Sequence, residues 1–184
     1  MSKHRQRSAQ LFALIAMASF GMLFGTFLLS FLLAEARNAV WPPIGVQPIN
    51  SVYAIFATGI IAASSLLYWN AETSLYAGNA KNARWSTLGA WLLAWAFIAS
   101  QYVTLGGLWA QGQSLSSDIY SGSVHVLIGL HVIHLVGGLG GLTYVLAKLF
   151  FSPNTLSQTA AQIVGWFWHF LGALWVLIFL VMVL

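Results

Sequence analysis

Apolar residues gather along this chain in five long runs, separated by short polar stretches. The runs cover about Leu11–Leu33, Asn50–Trp69, Ser86–Trp109, Ser121–Ala147 and Gln162–Leu184. Each reaches about the 20 helical residues needed to cross a hydrocarbon core roughly 30 Å thick. None shows the strict alternation of apolar and polar positions that marks a membrane barrel strand. The pattern predicts an all-α, polytopic membrane protein: five transmembrane helices in one bundle, a single domain over residues 1–184.

Charge then orients the bundle. Lys3, Arg5 and Arg7 precede the first run, and Glu35 and Arg37 follow it. The second connection carries Glu72, Lys81 and Arg84, the third carries Asp118, and Lys148 comes after the fourth run. A cytoplasmic N-terminus puts every Lys and Arg inside except Arg37, as the positive-inside rule requires, and leaves the C-terminus outside. Ala34-Glu35-Ala36 imitates a signal-peptide cleavage site, but the preceding run is longer than a signal core, so a retained helix is expected.

Composition narrows the class further. Hydrophobic residues make up 59% of the chain and charged residues 5%, with a mean hydropathy of +0.81. That is far too little charge for a soluble domain of this length. The absence of cysteine excludes disulfides, thiolate metal sites, iron–sulfur clusters and cysteine-linked haem. The formal charge of +4 does not indicate nucleic acid, because the basic residues are scattered at helix ends.

The chemistry worth weighing is imidazole in hydrocarbon. His125, His131 and His134 fall in the fourth run and His169 in the fifth. Polar rings there must face protein, water or a cofactor. His131 and His134 share a helix face, and His125 points nearly opposite His134. Along the helices His134 lies about 20 Å from the cytoplasmic end and His169 about 10 Å, a mismatch too large for one haem iron. His131 and His134 have suitable spacing for copper or zinc, but no intramembrane carboxylate or thiolate joins them. Hydrogen bonding to neighbouring helices or lipid headgroups is the favoured reading; a b-type cytochrome and a small transporter are the rivals. A transporter would need polar groups clustered at mid-membrane. Gly21 with Gly25, and Gly137 with Gly141, place small residues on one face each, where helices can pack closely.

Four motifs then fall in order. Trp41-Pro42-Pro43-Ile-Gly-Val-Gln-Pro-Ile-Asn50 is similar to a WPPxGIxPLN turn, and Gln101 sits near a helix end in FIASQYVTL. Asp118-Ile-Tyr120 followed by Gly129-Leu-His131-Val-Ile-His134 is similar to DxxYxSxFxxxTGxHGLHV. Trp168-His169-Phe170 with Trp175 matches a WHFVDxxW ending. Over nearly its whole length the chain resembles subunit III of the haem–copper cytochrome c oxidases, in a short five-helix bacterial form. It looks like the last five helices of a family that commonly has seven. Three family carboxylates are replaced, by Phe20, Thr104 and Gly172.

The resemblance implies an accessory subunit of a respiratory terminal oxidase in the bacterial plasma membrane, within a complex that reduces dioxygen and builds a proton gradient. It implies no cofactor in this chain, haem and copper in partner subunits, subunit I as the main contact, subunit II beside it, and bound phospholipid. A larger respiratory supercomplex and a quinol-oxidising complex are compatible alternatives. His131, His134, His169, Trp41, Arg37 and Tyr120 are then expected to make lipid or interhelix contacts. An apolar groove walled by glycine-rich faces would suit acyl chains and dioxygen alike. The missing carboxylates imply no direct part in proton pumping.

Overall fold

The computed structural model describes residues 3–183, which form α1 (Lys3–Arg37), α2 (Ser51–Tyr76), α3 (Ala80–Ala110), α4 (Ile119–Phe151) and α5 (Gln158–Val183). One 3-10 turn, Pro153–Thr155, joins the last two. All five helices are long and apolar enough to cross a membrane, and no strand occurs among the described residues.

The helices outrun the apolar stretches. Glu35 and Arg37 belong to α1, Glu72 to α2, Lys81 and Arg84 to α3, and Lys148 to α4. These residues were expected in connections or at run ends, yet the α2–α3 connection is only Ala77–Asn79. Its tightness has a local cause. Gly78 takes φ +75°, a left-handed conformation that glycine adopts without penalty. Asn79 N–H then donates to the Ser74 carbonyl, closing the helix end. Gly112 ends α3 the same way, with φ +77° and Gln113 N–H on the Leu108 carbonyl.

Three helix starts are capped by side chains. Asn50 accepts from Val52 N–H, Asn79 from Asn82 N–H, and Asp118 from Ser121 N–H. Each cap satisfies a backbone donor that lacks an intrahelical partner.

Packing follows the small residues. On α2, Ala54, Ala57, Ile61, Ser64, Tyr68, Ala71 and Ser74 are buried at spacings of three or four. The matching stripe on α3 includes Ala83, Ser86, Thr87, Ala90, Ala94 and Phe97. Lipid tails are as apolar as side chains, so close van der Waals contact and interhelical hydrogen bonds must hold this seam. Small residues allow both, and the Ser64 hydroxyl donates to the Ala90 carbonyl at 2.8 Å. Next, α4 packs on α3 and α5, α5 on α2, and α1 lies across α4 and α5. Val124, Ile128, Leu135, Leu142, Leu171 and Ile178, from α4 and α5, form the fully buried centre. Large apolar side chains such as Phe12, Met22, Phe56 and Ile133 point outward, as lipid-facing positions should.

Candidate functional site: a histidine core and a glycine-lined groove

His131 occupies the middle of the bundle. Its side chain is wholly buried, with ring centroids 5.5 Å from Trp175, 5.9 Å from Phe97 and 6.2 Å from Phe24. One imidazole thus touches rings from α1, α3 and α5. This burial rules out the headgroup contact allowed by the sequence: His131 is an interhelix residue. Neither nitrogen has a hydrogen-bond partner among the described residues.

His134, one turn along, is half-buried. Its Nδ1–H donates to the Leu130 carbonyl at 2.7 Å, and its ring meets the edge of Phe20 at 4.4 Å and Phe24 at 5.4 Å. Phe20, standing where an acid is expected, therefore packs directly on this imidazole.

His169 belongs to a different neighbourhood. Its Nδ1 lies 2.5 Å from the Ser65 hydroxyl and its Nε2 lies 3.7 Å from a Glu72 carboxylate oxygen. Gly165 makes the space, because a Cβ there would sit 2.5 Å from the Glu72 oxygen. His125 stacks on Trp109 at 5.9 Å and bonds the Ser121 carbonyl. The four rings do not converge, and no group of three potential metal ligands forms among the described residues.

Two tryptophans of the remaining motifs tie helices together. Trp168 Nε1–H donates to Ser64 and Trp175 Nε1–H to Thr58, joining α5 to α2. Gln101 is buried on α3 beside Thr104, Ile128 and Trp175. Trp41 packs on Phe31 at 5.3 Å and on Tyr120 at 5.5 Å. Tyr120 is buried, and its oxygen accepts from Ile49 N–H at 3.1 Å. That role replaces the headgroup contact considered for it. Pro42 and Pro43 are half-buried beside this cluster, while Arg37 is exposed at the end of α1. Gly129 is half-buried with open space where a side chain would begin.

Asp118 starts α4 from outside the helix. Its carboxylate accepts from Ser121 N–H at 2.8 Å and the Ser121 hydroxyl at 2.7 Å. Partial burial works to raise its pKa, but the hydrogen bonds from Ser121, Ser117 and the Tyr120 backbone outweigh that and lower it.

The glycine faces differ from expectation by one residue. Gly138 and Gly141 meet α5: a Cβ on Gly138 would lie 3.0 Å from Leu171 and 3.1 Å from the Trp168 ring, and one on Gly141 3.1 Å from Val164. Gly137 is exposed, with nothing within 4 Å. On α1, Gly21 faces Phe170 at 3.8 Å, whereas Gly25 faces open space. Beside Gly138 and Gly141 runs an apolar groove of about 220 Å³, lined by Ala13, Ala16 and Met17 of α1 and Ile163, Val164 and Phe167 of α5. It lies near the α1 start, away from Arg37 and Trp41.

Fold and site together define a five-helix integral membrane protein in which buried Ser64 and Trp168 bond helix to helix. Residues 6–184 match the family model of cytochrome c oxidase subunit III, and the chain belongs to that family. It is an accessory subunit of a haem–copper oxidase, a multi-subunit complex. Among similar proteins, the probable cytochrome c oxidase subunit 3 of Nocardia farcinica is 28% identical over 84% of this chain and 76% of its own. That of Corynebacterium diphtheriae is 29% identical over 78% of this chain and 70% of its own. The Gallus gallus subunit 3 is 29% identical over 77% of this chain but only 54% of its own. The chain thus spans about half the length of the vertebrate relatives it matches.

Sequence reasoning missed Glu72, Ser65, Gly138 and Gly165. Glu72 had a signal: the small-residue stripe of α2 continues past it to Ser74, which carries the helix through.

Proposed function

We propose that this chain is a non-catalytic brace of a bacterial respiratory oxidase, seated against subunit I with subunit II beside it, and that it holds phospholipid tails in the groove along Gly138 and Gly141. The N-terminus faces the cytoplasm in this reading, and the bundle sits in the bacterial plasma membrane. Haem and copper belong to the partner subunits.

The apolar groove between α1, α4 and α5 carries the proposal. It offers an acyl chain close contact with three helices and no polar group to desolvate. Lys3, Arg5 and Arg7 precede it in sequence and supply positive charge near the phosphate level at the cytoplasmic surface. Dioxygen, also small and apolar, would be accommodated by the same lining.

The experiment is to fill the groove from α1, where Ala16 is exposed and a large side chain displaces no core residue. The Ala16→Phe oxidase should retain this subunit and lose phospholipid, counted by extraction and mass spectrometry of the purified complex. Unchanged lipid content with the groove filled would overturn the lipid-holding role.

A further inference from the structure

Glu72 and His169 make the one carboxylate–imidazole contact among the described residues, and neither bracing nor lipid binding uses it. The two come from different helices, α2 and α5, and meet at 3.7 Å. Gly165 provides the notch that admits the carboxylate against α5. The Glu72 side chain is 12% exposed and that of His169 33%, so the pair is sheltered but still open to proton exchange.

The cavity beside Glu72 is lined mainly by apolar side chains. From α3 and α4 the neighbours of Glu72 are Thr87, Val145 and Leu149, and from α5 they include Ala161; none of these titrates. The titratable groups facing the pair are two phenols on α2, Tyr68 and Tyr76. The Tyr68 ring meets the imidazole at 6.3 Å, while its hydroxyl donates to the Ala161 carbonyl. Of the cations on α3 and α4, Arg84 lies over the Phe150 ring with its Nε buried and unpartnered, and Lys148 donates to Thr155.

We propose that Glu72 and His169 form a proton-binding site, which takes one proton from water and holds it as an imidazolium beside a carboxylate. Imidazole changes charge near neutral pH. The Ser65 hydroxyl can donate to Nδ1 when that nitrogen is bare and accept from it when it is protonated. Nδ1 is therefore satisfied in both states while Nε2 stands 3.7 Å from the Glu72 carboxylate, and loading requires no helix to move. No heavy-atom bond forms or breaks. In the loaded state the ion pair clamps α2 to α5. The site stores a proton and does not conduct one, because no third histidine or carboxylate joins the pair among the described residues.

The test uses this subunit labelled with ¹⁵N-histidine and ¹³C-glutamate, reassembled with unlabelled partner subunits in liposomes. Five imidazoles and the carboxylates of Glu35 and Glu72 are then the labelled side chains. Solid-state NMR between pH 5 and 9 should find one glutamate–imidazole pair in through-space contact, its two signals shifting with a common midpoint, as coupled titrations do. Glu72→Gln, which removes the carboxylate beside the ring, should shift that midpoint. Separate midpoints, a ring that does not titrate, or a midpoint unmoved by Glu72→Gln would each overturn the proposal. If that variant fails to assemble, the wild-type curves alone decide.

Discussion

Two adjacent glycines offer a controlled measurement of how α4 meets α5. Adding a methyl group at Gly137 or Gly138 confers the same gain in helix propensity, about 1 kcal/mol, so that contribution cancels between the variants. What differs is space. At Gly137 the methyl meets nothing within 4 Å, whereas at Gly138 it arrives 3.0 Å from Leu171 and 3.1 and 3.2 Å from two Trp168 ring carbons. Neither neighbour can retreat easily: Leu171 is fully buried, and Trp168 is held by its bond to Ser64. Overpacking of this kind costs about 1–3 kcal/mol. At about 2–4 °C per kcal/mol for a chain of this size, Gly138→Ala should release the subunit from the detergent-solubilised oxidase about 2–12 °C below Gly137→Ala. Native gels after stepped heating give the two temperatures. Equal temperatures, or a lower one for Gly137→Ala, would refute the assignment of Gly138 to the contact face.

Asp118→Ala should destabilise the subunit by about 0.5–2 kcal/mol through loss of the α4 cap. Because the native carboxyl has a lowered pKa, its contribution is complete above the ordinary Asp value of about 3.9 and fades as pH falls through the native value. The melting gap between wild type and Asp118→Ala should therefore narrow only below about pH 4; a gap that narrows between pH 8 and 6 would contradict this. Replacing Glu35, Glu72 and Asp118 by amides should leave protons pumped per electron unchanged, since Phe20 cannot titrate and a proton store is not a path. Lost pumping with intact assembly and oxygen reduction would show otherwise.

Hydropathy made all five helices legible, because nothing but helix can carry such runs across a bilayer. Their ends were not legible. Hydropathy drops at the first charged residue, but Glu72 and Arg84 continue their helices, and the cap chemistry of Asn79 and Gly78 decides where those helices stop. The rotation of α4 was also hidden, since it is apolar almost all round. A glycine pair four apart suggested Gly137 with Gly141, while the packed face runs through Gly138 and Gly141. The same uncertainty grouped His131 with His134. Three positions place them about 60° apart on a helix of 3.6 residues per turn. That is enough to separate a fully buried ring from a half-buried one.

The way α1 is supported bears on how the chain is made. It is made before the other four helices described, yet its neighbours in the finished bundle, α4 and α5, follow only after α2 and α3. Translation at about 5–20 residues per second leaves α1 waiting on the order of 10 seconds without them. Ser19 and Thr26 turn their hydroxyls onto the Ile15 and Met22 carbonyls of the same helix, so they need no companion during that interval. Meanwhile α2 and α3, joined by three residues, dock as a hairpin as soon as both have left the translocon. α1 is thus built to live alone in lipid until α4 and α5 arrive.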